Sequence, residues 1–228
     1  MRRALVAAAL AVPFALAPWA TSIAVAAQPR IYHTIKDTTG SAVVSAAQGC
    51  ELTEVFVSSS VAMYAAQPGP VGKQGLTSVF VRVSDTCATA PLRAAAGGGG
   101  TVVFEADAQN SAPLVVDPRL TQASVTTDLP GTDDAGNPVT VHLSAAWTGT
   151  GPLEHTTVAT HDNTGDGNVS STTNGLRRPA TATVSVRVSG RSVSATDPGA
   201  VVEQTKWHCI ENPRPGVEDY YPCFGFPG

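Results

Sequence analysis

The segment Val139–Gly151 reads VTVHLSAAWTGTG and carries the clearest strand pattern in the chain. Its odd-numbered positions up to Trp147 are apolar, and its even-numbered positions are polar or small. Alternation with period two places the apolar side chains on one face of a strand and the polar ones on the other. Glycine and proline residues in Gly136–Pro138 and Gly149–Pro152 end the strand on both sides. We therefore predict a strand with one buried face, in which Trp147 belongs to the core.

The same alternation recurs in other parts of the chain. Ser78–Asp85 and Ala180–Val188 place valine or alanine at every second position, and Leu52–Ser59 is rich in β-branched residues. No segment keeps a 3.6-residue period over three turns. Many short strands separated by glycine and proline predict an all-β fold, an antiparallel β-sandwich of Ig-like or jelly-roll-like type.

The two halves of the chain resemble each other in the order of their strands. Leu120–Thr127 matches Leu52–Ser59, and Val139–Thr148 matches Ser78–Cys87. Each half then ends at an Asp-Pro pair. This order predicts two repeated β units of about 70–80 residues. The alternative is a coincidence among strands rich in Val and Thr, and whether the units form one domain or two stays open.

The N-terminus has the pattern of an exported protein. Two arginines precede an apolar run, and small residues follow at Ala24–Ala27, which together predict a signal peptide. Pro13 and Pro18 interrupt the run, which argues against a membrane anchor. The predicted organisation is a signal peptide at residues 1–27, β units at 28–118 and 119–204, and a disulfide-stapled tail at 205–228.

The charge balance excludes some classes of partner. Removing the signal peptide leaves 12 basic and 18 acidic residues, so the formal net charge falls from −4 to about −6. Binding to nucleic acid or to an anionic membrane requires a basic surface. We therefore expect no nucleic acid partner and no membrane span after signal cleavage, and an extracellular protein or carbohydrate as the partner.

Four cysteines remain after the signal peptide: Cys50, Cys87, Cys209 and Cys223. An even number in an exported chain predicts two disulfides. Three pairings are possible. We prefer Cys50–Cys87 and Cys209–Cys223, because each pair then closes a contiguous segment. A zinc site is the alternative, but no C-x-x-C or H-x-x-x-H spacing supports it.

The segment Asp162–Ser170 reads DNTGDGNVS and suggests a calcium loop. Calcium loops place oxygen donors at alternate positions and a glycine at the turn. The donors predicted here are Asp162, Thr164, Asp166 and Asn168. Over these nine residues the segment resembles the D-x-N-x-D-G loops of dockerin-type calcium proteins. It departs from them because position three is Thr and position twelve is Thr173 instead of an acid. The alternative is a plain hairpin loop.

The C-terminal tail concentrates aromatic residues in and directly around the segment between its two cysteines. Aromatic residues make up only 6% of the whole chain. A stapled aromatic loop suits a sugar face or a protein partner, whereas the alternative is that the rings pack onto the sandwich. The predicted binding residues are Trp207, Tyr220, Tyr221 and Phe224.

No catalytic pattern stands out. The sequence has no G-x-S-x-G segment, and His155 and His161 would lie about 20 Å apart on one side of a strand. Solvated histidines are the simpler interpretation. Our first hypothesis is a secreted, non-enzymatic β-sandwich that binds a ligand or acts at the cell surface. The alternatives are an extracellular hydrolase whose site assembles only in the fold, and a weak calcium-stabilised adhesion module.

Overall fold

The computed structural model describes residues 31–67, 71–88, 100–217 and 223. In these ranges the chain forms eleven strands and no helix, and every strand pair is antiparallel. The all-β prediction is confirmed. The predicted signal peptide lies outside the described residues. The strands are β1 (Ile31–Gln48), β2 (Glu51–Gln67), β3 (Val71–Asp85), β4 (Thr101–Asn110), β5 (Val115–Val116), β6 (Gln122–Asp133), β7 (Pro138–Gly149), β8 (Glu154–Thr164), β9 (Gly167–Val188), β10 (Arg191–Asp197) and β11 (Val201–Pro213).

The strands belong to one sheet that closes on itself. Hydrogen bonding runs from β1 through β2, β3, β4, β6, β7, β9 and β11, and then returns to β1. The joint between β4 and β6 is short, with Ala106–Ala108 paired to Gly131–Asp133. The ladder is therefore continuous, where the sequence suggested two separate sheets of a sandwich. Strands from both predicted units contribute to it.

The closed part of the sheet surrounds one hydrophobic core. Its inward positions are mostly Val, Ala and Leu, because β-branched and small side chains pack well on a pleated surface. Trp147 is only 1% exposed, which confirms its assignment to the core. Its indole Nε1 donates a hydrogen bond to the carbonyl of Ser41 at 2.9 Å. Gly40 lies against the ring, where an added Cβ would be 3.1 Å from it.

Several strands continue beyond this closed body. The long strand β9 has two neighbours on each side. Its first half pairs with β8 on one side and β11 on the other, and its second half pairs with β7 and β10. At the end of the closed body, Pro113 passes directly over Gly75. A Cβ added to Gly75 would lie 2.4 Å from the Cα of Pro113. Past that point six strands form an open sheet in the order β8-β9-β11-β1-β2-β3, which we call the extension. It comprises residues 31–39, 60–67, 71–76, 154–164, 167–178 and 203–213.

Both predicted disulfides are present. Cys50–Cys87 joins the β1–β2 turn to the end of β3, with Cα atoms 5.2 Å apart. Cys209–Cys223 ties the end of the chain to β11, with Cα atoms 6.1 Å apart. Two disulfides fit an oxidising compartment. Among the described residues, no helix is long and apolar enough to cross a membrane.

The start of the predicted tail is instead part of the sheet. Residues up to Pro213 belong to β11, which pairs with both β1 and β9. The tail prediction began at residue 205 because this segment lacks the valine alternation of the other strands. That alternation is absent because β11 leaves the core after Gln204, and its later residues lie in the extension.

Candidate functional site

Strand pairing places five residues of the extension in one row across the sheet. From β9 to β3 the directly paired residues are Asn174, Lys206, Lys36, Met63 and Lys73. Directly paired residues of antiparallel strands project from the same face, with Cβ atoms about 4.5–5.5 Å apart. The row contains all three lysines of the chain. We call this side of the extension the lysine face.

The acidic residues of the extension all project from the opposite side, which we call the acidic face. Side chains alternate along a strand, so Asp37 points away from the face that Lys36 occupies. The strand registers place the remaining acids of the described extension on the same face as Asp37. The acids on this face are Asp37, Glu154, Asp162, Glu203 and Glu211. The lysine face, within the described residues, has no Asp or Glu.

On the acidic face Arg177 forms ion pairs with acids, whereas the lysines form none within the described residues. Arg177 donates to Glu203 at 2.9 Å and lies 3.5 Å from Glu154, so it bridges three strands. None of the five ion pairs in the described part of the chain includes a lysine. Lys73 and Lys206 are exposed, and Lys36 is half-buried. The lysine face is therefore a basic surface on a chain with net negative charge.

Polar side chains surround the lysine row. On one side of it, the hydroxyl of Thr34 and Nδ1 of His208 are 2.9 Å apart, and the ring of Tyr32 stacks on His208 at 6.1 Å. At the edge of the face, the hydroxyl of Thr157 donates to Asn174 at 3.0 Å. Hydroxyl, amide and imidazole groups are all able to bond to the hydroxyls of a ligand. The face thus combines fixed positive charge with neutral hydrogen-bonding groups.

His155 and His161 both lie in β8 and, as the sequence predicts, on the same side of that strand. They project from the lysine face, where Nδ1 of His161 is 2.7 Å from the hydroxyl of Ser170. Both imidazoles are exposed. The structure therefore places them beside the lysine row and does not bring them together as ligands of one metal ion.

The predicted calcium residues occupy a tight hairpin between β8 and β9. Thr164 pairs directly with Gly167, which leaves a two-residue turn. Asp162 and Thr164 project from the acidic face, whereas Asn168 projects from the lysine face and accepts a hydrogen bond from Asn212 at 2.9 Å. The carbonyl of Asp166 accepts from the amide of Arg214 at 2.8 Å. The calcium site stays a prediction, with its side chains divided between two faces.

Of the predicted aromatic binding residues, only Trp207 lies in the described part of the chain. It is half-buried on the acidic face, in one row with Ile35 and Tyr64. Tyr220, Tyr221 and Phe224 lie outside the described residues. Their role in binding stays a prediction.

A buried carboxylate anchors the end of the chain. Glu211 is completely buried, accepts a hydrogen bond from the amide of Cys223 at 2.7 Å and lies 3.4 Å from Nε2 of His33. These three residues are close enough to suggest metal ligands. The sulfur of Cys223 is bonded to Cys209, however, so it is not a thiolate ligand. We interpret the group as the attachment of the tail to β11.

Sequence reasoning missed one acid–histidine pair on the closed body. Nδ1 of His142 is 2.6 Å from Asp128, and both side chains are exposed in an open depression. The hydroxyl of Ser144, which lines the same depression, lies 3.4 Å from the hydroxyl of Thr126. In the described residues no serine hydroxyl bonds to this imidazole, so the pair lacks the nucleophile contact of a catalytic triad.

Comparison of the chain with protein-family models, with curated proteins and with solved structures gave no match. Functional inference therefore depends on the geometry alone, and the lysine face is the feature with the most specific chemistry.

Proposed function

We propose that this chain is a secreted, non-enzymatic binding protein whose lysine face binds an acidic polysaccharide, one that carries carboxylates along an extended chain. The observation that carries this proposal is the row of Lys206, Lys36 and Lys73 on a face whose described residues include no acid. Two disulfides and the predicted signal peptide support an extracellular location.

The dimensions of the row favour an extended ligand. Lys206 and Lys73 are three strand spacings apart, about 14 Å at about 4.8 Å per strand, with Lys36 between them. One small anion does not span this distance, whereas a polymer with repeated carboxylates reaches all three ammonium groups. The ligand would lie across the strands, along the row.

Neighbouring groups favour a sugar polymer. Thr34, Thr157, Asn174 and His208 project from the same face and offer hydrogen bonds to ring hydroxyls. DNA duplexes and anionic bilayers present wide fields of charge and are usually bound by many cations. A single row of three lysines on a chain of net charge −4 suits one narrow, extended polyanion better.

The test is binding of polygalacturonate to the full chain, measured by titration calorimetry at several salt concentrations. Replacing all three lysines by glutamine should abolish binding or weaken it at least tenfold. The matched control replaces three exposed arginines elsewhere, Arg119, Arg187 and Arg214, by glutamine. It makes the same change in net charge and should retain most of the affinity.

Salt dependence supplies a second readout, because each ammonium–carboxylate contact releases counterions. Each single lysine substitution should lower the slope of log affinity against log salt by about one. If the triple lysine variant binds as well as the arginine control, the lysine face is not the site. Equal binding of neutral dextran would refute recognition of charge, and tighter binding of DNA or phosphatidylglycerol vesicles would refute a polysaccharide ligand.

A further inference from the structure

The strand β8 leaves one edge of the extension unpaired. In the described residues β8 pairs only with β9, so the backbone N–H and C=O groups along its other side have no strand partner. Ten of its eleven residues are exposed, so no other described part of the chain covers either face of the strand. A free, regular edge of this length is a template for pairing with another strand.

The edge lacks most of the features with which proteins usually prevent such pairing, and its acidic side chains, Glu154 and Asp162, lie towards its two ends. Lysine, proline, a β-bulge or a short strand protects most exposed edges. Residues 154–164 contain no lysine and no proline, and their register with β9 has no shift. The opposite edge of the extension, at the start of β3, carries Lys73 and the glycines Gly72 and Gly75. Only the β8 edge is rich in β-branched residues, with four threonines and Val158.

We propose that β8 pairs antiparallel with β8 of a second copy of this chain, about a two-fold axis at Ala159. A two-fold axis perpendicular to the sheet keeps each face of the sheet on the same side in both copies. Residues that face each other must therefore both be even-numbered or both be odd-numbered, and an axis at Ala159 meets this condition. Thr156 then faces Asp162 of the second copy, and Thr157 faces His161. Glu154 faces Thr164.

The charges of the strand favour this register over the neighbouring one centred on Val158. With the axis at Ala159, no acid faces another acid across the interface. Moving the axis to Val158 would place Glu154 directly opposite Asp162 at both ends of the interface, and like charges in that position are destabilising. A second copy paired about Ala159 therefore keeps the acids of the two edges apart.

Self-pairing would also change the binding surface. The two-fold axis places both lysine faces on the same side of one continuous sheet. Two rows then present their cations to the same polymer, and a second contact made within one complex raises the overall affinity. The pairing itself requires no ligand, so it is measured on the free protein, and its failure would leave the proposed function untouched.

The first experiment is sedimentation velocity of the full chain over a wide range of concentrations. We expect a reversible shift from monomer to dimer. Ala159→Lys places two lysines opposite each other on the axis and should keep the protein monomeric. The control Thr140→Lys adds the same charge at an exposed position of β7 and should dimerise like the unchanged chain. A wild-type chain that remains monomeric, or an Ala159→Lys chain that still dimerises, would overturn the proposal.

A cross-linking experiment tests the register independently of any effect of the added charge. Residues that face each other across a strand pair lie close to the geometry of a disulfide. All four natural cysteines are already paired. Ala159→Cys should therefore give a covalent dimer on mild oxidation, and Thr140→Cys should not. Equal yields for the two variants, or no cross-link at position 159, would contradict the proposed axis.

Discussion

Replacement of Lys206 by glutamate should stabilise the fold and at the same time abolish ligand binding. Lys206 and Lys36 are paired directly across two strands, so their ammonium groups repel each other. At a separation of about 6 Å in water the repulsion is about 0.7 kcal/mol, and physiological salt reduces it to a few tenths. Because glutamate exchanges this repulsion for attraction, the free energy of unfolding should rise by about 1 kcal/mol at low salt.

The assay is urea unfolding at low and at high salt, combined with polygalacturonate titration of the same variants. Lys73→Glu is the matched control, because Lys73 is paired with Met63 and no second lysine faces it. It should lose binding with a smaller change in stability. The gain for Lys206→Glu should shrink as salt increases, since the effect is electrostatic. If Lys206→Glu is less stable than the unchanged chain at low salt, the lysine row does not lower the stability of the free protein. The view that the row is kept for binding at a cost in stability would then be refuted.

Three further predictions concern the closed body and the hairpin of the extension. Trp147→Phe removes the buried indole hydrogen bond and should lower the free energy of unfolding by about 2 kcal/mol in a urea titration. Burial alone would raise the pKa of Asp117. Hydrogen bonds from Thr121 and from backbone amides outweigh this effect and hold the pKa below its ordinary value of 3.8. The stabilisation by ionised Asp117 should therefore be complete above pH 3.8 and be lost as the pH falls through the lowered pKa of the folded state. Asp117→Asn should remove this pH dependence from the acid-unfolding curve. Calcium should raise the melting temperature if the hairpin binds it, and replacing Asp162 and Asp166 by Ala should then remove the shift.

The strands of the closed body, though not the closure of the sheet, were predictable because each has one dry face. In such strands the chemistry alternates along the sequence, as it does through Val184 and Val186 of β9, which are both buried. The cysteine pairing was predictable for a related reason, since each pair closes a contiguous segment. The end of β11 was not recognised as a strand. Trp207, His208 and Ile210 are all half-buried, so no alternation of apolar and polar residues marks the two faces there.

The lysine row was beyond prediction because its members come from distant parts of the chain. Lys36, Lys73 and Lys206 belong to β1, β3 and β11, and only the combined register of four strands places them side by side. A slip of one residue in any of these strands would move its lysine to the acidic face. No local feature of the sequence carries that information. For the same reason, the absence of acids from the lysine face becomes visible only when each strand's parity is known.

The sorting of charge between the two faces is itself an argument for function. A sheet selected only for stability gains from acids placed directly opposite lysines, because opposite charges in facing positions stabilise the strand pair. The acidic face uses this arrangement, with Arg177 between Glu154 and Glu203. The lysine face does the reverse and places Lys206 opposite Lys36. Repulsion within an unpaired cluster is relieved when an anion binds, so the arrangement that weakens the free protein strengthens its complex with an acidic ligand.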